Sequence, residues 1–384
     1  VRLGNFELAG YFSLALTMSN IFISLASYTV RLFYAADIQR KYQDHQYFYM
    51  RVFTTALSFI LCIAGTVVFG YSSYSLAIIV LFYIYKIFEM LSDILFGALQ
   101  RCGKLYLSGY SMTLKAVVSL IVFSGMLLIS DSLICTIIAI DVVAAAIFFF
   151  VDIPIARRQK IDFASFSKED LRPIKLLLRI CFPLFLVGLC YNTIPSIPRL
   201  TFERLYSAEQ FGIYSSLSTV TVLISTAVTC VTTPLIPKLA ELYQKKETKS
   251  LAATTLYLLG IVFAVGLAAL VLAHFLGEQV LAWIFGDEVR SYMSVFKWII
   301  VATVLTSVII CLNDFFTAVE RQKDILGGCI TGVVLCAGIS IPLCKAFYMN
   351  GVAYSLVISQ GIEIAILALC AGKILKRLSK DRRC

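Results

Sequence analysis

Eleven mostly apolar stretches run through this 384-residue sequence, and most of them are long enough to cross a bilayer as a helix. Such a helix needs roughly 20 residues. The stretches lie at about 9–30, 52–70, 74–99, 111–129, 133–151, 176–198, 212–236, 251–276, 294–315, 326–344 and 351–372. Hydrophobic residues make up 60% of the chain and charged residues only 15%, a balance far from that of a soluble globular protein. The sequence therefore predicts an all-α polytopic membrane protein.

Lysine and arginine residues are distributed unevenly between the connections. If consecutive stretches cross in opposite directions, 24 of the 33 Lys and Arg residues lie in connections on one side and 5 on the other. The larger set includes Arg31, Arg51 and the basic C-terminal tail. Because positively charged residues stay in the cytoplasm during insertion, we expect the larger set and the C-terminus to be cytoplasmic. The net charge of +10 then reflects membrane topology, and we expect no nucleic-acid partner.

The start of the sequence suggests a further helix. In this orientation residue 1 lies outside, although no signal peptide precedes it and it is Val1 instead of Met. We therefore expect one membrane helix to precede the sequence, so that eleven of twelve helices are present and both ends of the complete protein are cytoplasmic. A GTG start codon and a genuine eleven-helix protein are the alternative.

Two short segments of the sequence recur. Residues 3–13 and 205–215 share Leu, Glu, Gly, an aromatic residue and Ser at a constant offset of 202, and residues 98–101 resemble 318–321. The second copy, at 205–215, leads into the seventh apolar stretch, six stretches after the first. An even number of crossings preserves the direction in which the chain crosses the membrane. The repeat is therefore expected to be parallel, with two six-helix lobes related by an axis along the membrane normal, as in one class of secondary transporters.

A polar, basic stretch at 152–175 is the predicted linker between the lobes. It separates an N-lobe at 1–151, which lacks its first helix, from a C-lobe at 176–384, which ends in a basic cytoplasmic tail. Two such lobes form a seam at which they can rock, so that a site opens first to one side of the membrane and then to the other. This organisation favours a transporter over an enzyme.

Three charges occupy one face of the third stretch. Lys86, Glu89 and Asp93 are spaced by three, four and seven residues, which places them together on a helix of 3.6 residues per turn. Each would cost about 3 kcal/mol at the centre of a bilayer, so we expect this face to point into protein or a wet cavity. An internal ion pair between Lys86 and Glu89 and a substrate or proton site are both consistent with the pattern.

Two arginines are candidates for holding an anion. Arg31 ends the first stretch, and Arg199 follows Asn192, Pro195 and Pro198 at the end of the sixth. The two prolines predict a break in that helix, which would free backbone carbonyls beside protein or water. Arginine binds a phosphate through a planar fork of donors, which lysine lacks. The alternative is that both arginines extend towards lipid headgroups.

Several runs of residues carry a family resemblance. They are Arg2-Leu3-Gly4, Glu7 and Gly10-Tyr11-Phe12-Ser13; Arg31, Tyr34 and Ala36-Asp37-Ile38; Glu89, Asp93 and Gly97-Ala98-Leu99-Gln100-Arg101; and Ile197-Pro198-Arg199 with Gly212-Ile213-Tyr214-Ser215. In order and spacing they are similar to the polysaccharide transporter family, the Wzx-type flippases of lipid-linked oligosaccharides in the MATE-like superfamily. The resemblance covers nearly the whole chain and implies a multi-pass protein of the bacterial inner membrane.

The resemblance also implies an activity and its partners. The family moves an undecaprenyl-pyrophosphate-linked oligosaccharide from the inner to the outer leaflet for O-antigen, capsule or exopolysaccharide synthesis, beside other polysaccharide assembly proteins. For this chain we take Arg31, Lys86, Asn192 and Arg199 as candidate substrate-binding residues. Candidate ion-coupling residues are Glu89, Asp93 and Asp314. No cofactor or metal is expected, because the chain has only two histidines and no CxxC pair.

Two other functions compete with this one. An ion-coupled multidrug exporter of the same superfamily would bind organic cations, so its cavity would carry unpaired carboxylates instead of arginines. Membrane polysaccharide polymerases also have ten to twelve helices, but they resemble one another in carrying a large external loop for catalysis. The external connections of this sequence are short, which favours a protein that is not an enzyme.

Overall fold

The computed structural model describes residues 5–37, 40–161, 163, 167–232, 235–319, 321 and 323–381. This part of the chain is almost wholly helical and contains no strand. Within the described residues, eleven helices are long and apolar enough to cross a membrane, which confirms the prediction of an all-α polytopic membrane protein. Val1, the run Arg2-Leu3-Gly4 and Ile38 lie outside the described residues, as does Glu320 of the repeated segment 318–321. The preceding helix and the parallel repeat stay predictions.

Two compact units divide the chain, Leu3–Asn192 and Thr193–Cys384, called here the first and second units. The helices that begin in the first unit are α1 Phe6–Ser27, α2 Val30–Ala36, α3 Asp44–Val68, α4 Ser73–Arg101, α5 Leu105–Ser130, α6 Leu133–Ile147, α7 Ile153–Arg158 and α8 Leu171–Leu205. A π-helical turn, Phe148–Asp152, joins α6 to α7, and a 3-10 turn, Lys168–Asp170, precedes α8.

The second unit continues with a further set of helices. They are α9 Ala208–Thr232, α10 Ile236–Gln244, α11 Thr248–Phe275, α12 Gly277–Phe285, α13 Met293–Ala318, α14 Lys323–Phe347 and α15 Met349–Asp381. A 3-10 segment, Asp287–Tyr292, leads into α13. Helix α13 packs against α9, α11 and α15, and α14 pairs with α15.

The boundary between the two units lies inside α8, after Asn192. The predicted linker at 152–175 lies before this point and is itself partly helical, since it contains α7 and the first turn of α8. The span that starts at Leu133 continues through the π turn to Arg158. Asp152 is therefore buried within a long helical element instead of opening a polar connection.

The predicted break in α8 is wrong. The helix runs without interruption past Pro195 and Pro198 to Leu205, so Arg199 lies inside the helix and does not end it. A proline removes one backbone donor, but a wider break inside a bilayer would expose many more polar groups without water to bind them. The continuous helix is therefore the less costly arrangement.

The first span is interrupted instead. Helix α1 ends at Ser27, and Tyr28 and Thr29 both adopt left-handed backbone angles, with φ of 42° and 57°. Left-handed geometry is uncommon for any residue except glycine and strained for a β-branched one such as Thr29. Arg31 therefore belongs to the short helix α2 after this kink and does not close α1. The stacking of Tyr28 on Phe185, with ring centroids 4.5 Å apart, holds the kink.

Serine and asparagine side chains set where several spans begin. Ser72 accepts a hydrogen bond from the Ser75 amide at the start of α4, and Asn5 accepts one from the Leu8 amide at the start of α1. These caps satisfy amide groups that a helix leaves without an internal partner. The charged residues of α4, from Lys86 to Asp93, extend from the middle of this helix into its second half.

Candidate functional site

A charged cluster lies at the junction of α2, α3 and α4 in the first unit. The carboxylate of Asp93 accepts hydrogen bonds from two guanidinium groups, with Arg31 Nη1 2.7 Å from Oδ1 and Arg51 Nη2 3.0 Å from Oδ2. Arg51 is completely buried, whereas the Arg31 side chain is 30% exposed. Two cations and one anion leave the Arg31–Arg51–Asp93 cluster with one excess positive charge.

The kink between α1 and α2 makes this cluster possible. Arg51 Nη1 donates to the carbonyl of Ala26 at 3.0 Å, and the hydroxyl of Thr54 donates to the same carbonyl at 2.9 Å. Helix α3 thus satisfies a carbonyl in the last turn of α1, where the negative end of the helix dipole favours a cation. The kink then directs α2 so that Arg31 reaches Asp93.

Gly97 allows α2 to approach α4 closely. A Cβ atom at this position would lie 3.2 Å from Arg31 Cγ and 3.2 Å from a ring carbon of Tyr34. These distances are shorter than ordinary van der Waals contacts, so a side chain here would push α2 away from α4. The glycine therefore contributes to the contact between Arg31 and Asp93.

A second ion pair lies one turn earlier in α4, on the N-terminal side of Asp93. Lys86 Nζ is 2.6 Å from Glu89 Oε2, and it also lies 5.7 Å and 5.8 Å from the ring centroids of Phe82 and Tyr85. The lysine side chain is mostly buried, while that of Glu89 is 43% exposed. Lys86 and Glu89 therefore form the internal pair that their spacing allows, with the carboxylate on the accessible side.

A third polar group surrounds Asp152 at the π turn. Its carboxylate accepts hydrogen bonds from Ser92 and Ser111, and Lys115 Nζ lies 3.5 Å from it and 2.7 Å from Ser92 Oγ. All four side chains are buried. A π turn has a wider backbone than an α-helix and is common at functional positions. Asp152 is the charged residue of this turn, Phe148–Asp152.

These groups share a cavity of about 250 Å³. Its wall includes Glu89, Ser92, Asp93 and Lys115, together with the apolar side chains of Met90, Phe96 and Met112. Two carboxylates, one ammonium group and a hydroxyl thus meet one internal space. Such a space can hold a polar or ionic ligand, or a proton whose position depends on access to water.

The second unit has a smaller cavity, of about 130 Å³, around Arg199. Arg199 Nη2 lies 3.4 Å from Ser218 Oγ, and its Nε is buried without a hydrogen-bond partner in the described part of the chain. Hydroxyl groups dominate the remaining polar wall, which is formed by Tyr214, Thr221, Ser225, Thr303 and Thr306. This cavity is built to meet neutral polar groups with one cation.

Helices α13 and α15 extend this set of polar side chains. Gln360 Nε2 donates to Thr306 Oγ1 at 2.7 Å, and the hydroxyl of Thr303 donates to that of Thr221 at 3.0 Å. One turn beyond Gln360, Glu363 is almost fully buried, and its Oε2 would lie 2.9 Å from a Cβ placed on Gly332. Gly332 therefore leaves the space that this carboxyl group occupies.

The candidate residues named from the sequence fall into separate places. Arg31 and Asp93 meet directly, and Lys86 pairs with Glu89 one turn away. Asn192 Nδ2 donates to Ser24 Oγ at 2.7 Å within the first unit. Asp314 lies half-buried in α13 of the second unit.

Two central residues were missed in the sequence. Hydropathy places Arg51 among the loop cations, because the apolar stretch begins at 52, but α3 begins at Asp44 and buries Arg51 two turns in. Hydropathy also places Asp152 in the linker, because the apolar stretch before it ends at 151. The capping pattern at Gln43 and Gln46 was the available signal for an earlier start of α3.

The chain is similar in sequence to a protein of capsular polysaccharide biosynthesis, although no family model matches it. It is 24% identical over 289 residues to the capsular polysaccharide biosynthesis protein CapF of Staphylococcus aureus. The similarity covers 75% of this chain and 72% of that protein.

Solved structures show which fold the chain has. An inward-facing multidrug resistance MATE family transporter of the MOP superfamily superposes with a TM-score of 0.75 at 14% identity, covering 98% of this chain and 92% of the other. Its outward-facing counterpart gives 0.62 at 15% identity, covering 96% and 86%. A MOP superfamily transporter from Pyrococcus furiosus, described as having a binding pocket of reverse polarity, gives 0.60 at 16% identity, covering 97% and 86%. The chain therefore has the MATE-like fold that the resemblance implied.

Proposed function

We propose that this membrane protein is a flippase that moves an undecaprenyl-pyrophosphate-linked oligosaccharide from the inner to the outer leaflet by alternating access. The product would enter the synthesis of capsule, O-antigen or exopolysaccharide. The observation that carries the proposal is the excess positive charge of the Arg31–Arg51–Asp93 cluster, which lies among membrane-spanning helices.

An uncompensated cation inside the membrane needs a partner. A charge at mid-bilayer costs about 3 kcal/mol on insertion scales, and charges retained there are usually functional. Arg51 is completely buried and already binds Asp93 and the Ala26 carbonyl, so the partly exposed Arg31 is the cation that an incoming anion can reach. A pyrophosphate offers oxygens in the geometry that a guanidinium fork binds.

The comparisons support an anionic, sugar-linked substrate. The relative in Staphylococcus aureus is a capsular polysaccharide biosynthesis protein. The transporter from Pyrococcus furiosus is described as having a binding pocket of reverse polarity that suggests a different function. In this protein, Arg199 and the surrounding hydroxyl groups of the second unit would meet the sugar part of such a substrate.

Ion coupling belongs to the same proposal. Glu89 and Asp93 line the 250 Å³ cavity beside Lys115, where their carboxylates could meet a coupling cation. Asp314 is the corresponding candidate of the second unit. The protein would lie in the bacterial inner membrane with its C-terminus in the cytoplasm, and it would act by transport instead of catalysis.

A multidrug exporter is the second candidate. The partly exposed carboxylate of Glu89 and the buried Glu363 favour it, because an organic cation would need such groups. The two functions predict opposite substrate charge. They separate in proteoliposomes, where a flippase moves a fluorescent polyprenyl-pyrophosphate sugar and an exporter moves a cationic dye.

The decisive variants change Arg31. We expect Arg31→Ala to abolish translocation of the pyrophosphate-linked sugar in proteoliposomes, and Arg31→Lys to restore it only partly, since lysine offers a point charge. Arg290→Ala, at an exposed arginine that pairs with Asp287, is the matched control and should translocate normally. Normal translocation by folded Arg31→Ala protein would remove the anion-site proposal.

A further inference from the structure

A larger cavity, of about 600 Å³, lies in the first unit where α3 and α8 begin. Its wall carries four cations and two amide side chains, Lys41, Arg172, Lys175, Arg179, Gln43 and Gln46. No carboxylate lines it in the described part of the chain. No described residue lines both this cavity and the 250 Å³ cavity of the charged clusters.

Three of the cations share one face of α8. Arg172, Lys175 and Arg179 are separated by three and four residues, the spacing that aligns side chains on a helix. All three are exposed, and none has a described carboxylate within 4 Å. This differs from the Arg31–Arg51–Asp93 cluster, whose carboxylate already neutralises part of its charge. The like charges of the cavity repel one another, and a bound anion would reduce this repulsion.

Asp170 fastens the two helices that form the cavity. Its carboxylate accepts hydrogen bonds from Gln46 Nε2 at 2.7 Å and from the Ser167 amide at 2.8 Å, and it lies 3.0 Å from His45 Nε2. The bonds from Gln46, Ser167 and His45 lower the pKa of Asp170 to about 2. The carboxylate stays ionised and engaged at neutral pH, so it holds the start of α3 against the start of α8 and does not compete for the four cations.

A second carboxylate fixes the loop that carries Lys41. Asp37 accepts hydrogen bonds from the Lys41 amide at 2.9 Å, the Tyr42 amide at 3.0 Å and the Tyr47 hydroxyl at 3.0 Å. Burial raises the pKa of Asp37, but these hydrogen bonds outweigh it and hold the pKa below its ordinary value. The fourth cation of the wall is therefore attached to a fixed backbone.

The backbone adds to the positive potential. Both α3 and α8 are long helices that begin at this cavity, and a helix N-terminus carries a partial positive charge. Together with four side-chain cations, the two ends create a site that favours a multiply charged anion over chloride.

We propose that this cavity binds a phosphate-type anion, either free phosphate or pyrophosphate or the phosphate of a lipid headgroup. The site goes beyond the proposed transport function, because it requires no particular transported substrate. It would exist equally in a flippase and in an exporter.

The first test measures binding of inorganic pyrophosphate by titration calorimetry to the purified full chain. We expect the triple variant R172Q/K175Q/R179Q to bind at least tenfold more weakly than the unchanged protein. The matched control is K238Q/K246Q/K249Q, which removes three exposed cations of the second unit and the same net charge. Equal binding by the triple variant and the control would overturn the proposal.

A second variant distinguishes a loss of binding from misfolding. Lys41→Gln changes the opposite wall of the cavity at an exposed side chain, and we expect it to weaken pyrophosphate binding severalfold with an unchanged melting temperature. If Lys41→Gln binds like the unchanged protein and the triple variant melts early, the loss in the triple variant reflects misfolding and the proposal fails.

The source of the anion is distinguished in nanodiscs. If the ligand is a lipid headgroup, phosphatidylglycerol should raise the melting temperature above that in phosphatidylcholine, and the triple variant should lose this difference while the control keeps it. If the ligand is a free anion, pyrophosphate should raise the melting temperature equally in both lipids. Identical melting in every lipid, with no response to pyrophosphate, would contradict both sources.

Discussion

The two units place charge differently. The first unit buries its ion pairs, as between Arg51 and Asp93 or between Lys115 and Asp152. The clear ion pairs of the second unit, Lys245 with Glu241 and Arg290 with Asp287, lie between side chains that are more than half exposed.

Hydroxyl and amide groups take the interior positions of the second unit. Thr303 bonds to Thr221 and Gln360 bonds to Thr306, around the single cation of Arg199. A buried charge left alone costs far more than a buried hydroxyl, so the first unit is the more sensitive to the loss of one partner. Under the proposed function, the first unit would contact the charged part of the substrate and the second its neutral polar groups.

The largest effect is expected from Arg51→Met. The variant removes the hydrogen bonds of the buried guanidinium to Asp93 and to the Ala26 carbonyl, and a bond of a charged group contributes about 1.5–3 kcal/mol to the unfolding free energy. Denaturant unfolding of the purified protein measures it. Arg290→Ala, in an exposed pair of the second unit, should lose less than about 1 kcal/mol. Equal losses in the two variants would break the comparison between the units.

A backbone contact should give the next effect, in the second unit. A Cβ on Gly351 would overlap the Leu343 carbonyl oxygen, so Gly351→Ala must separate α14 from α15. We expect a loss of about 1–3 kcal/mol. Gly361→Ala in the same helix meets no atom within 4 Å and should raise stability by about 0.5–1 kcal/mol. Unchanged unfolding of Gly351→Ala would contradict the close packing of this hairpin.

Acid should weaken the first unit through Asp170. Its pKa is lowered to about 2, so its contribution is complete above the ordinary carboxyl pKa and is lost as the pH falls from about 4 towards 2. The expected contribution is about 1–2 kcal/mol. Melting temperatures between pH 3 and pH 7 should fall less steeply for Asp170→Asn than for the unchanged protein. Parallel curves would show that the contacts with His45, Gln46 and Ser167 do not favour the ionised form.

The smallest effect is expected from Thr303→Val. It removes a hydrogen bond between neutral hydroxyl groups and should cost about 1 kcal/mol. Thr331→Val is the control, because the exposed Thr331 hydroxyl bonds only within its own helix, to the Gly327 carbonyl. Unfolding curves of the two variants compare them directly. A loss for Thr303→Val as large as that for Arg51→Met would show that the second unit is as sensitive as the first.

Length and hydropathy were enough to predict the eleven spans, because a bilayer accepts few structures other than helices that satisfy their own backbone groups. The spacing of Lys86 and Glu89 was also enough to predict a shared helical face, since both residues lie on one regular helix. The proposed roles of Arg31, Asn192, Arg199 and Asp314 stay predictions, and so does the orientation in the membrane.

What the sequence by itself determined about this protein is its class, its spans and the pairs that lie within one helix, because these depend only on local periodicity. The kink at Tyr28 and Thr29, the burial of Arg51 and the joining of Arg31 to Asp93 were decided by tertiary structure. Each depends on three helices meeting at one point, with Gly97 leaving room for the approach. Such contacts join residues 42 and 62 positions apart, a separation at which sequence spacing carries no information about distance.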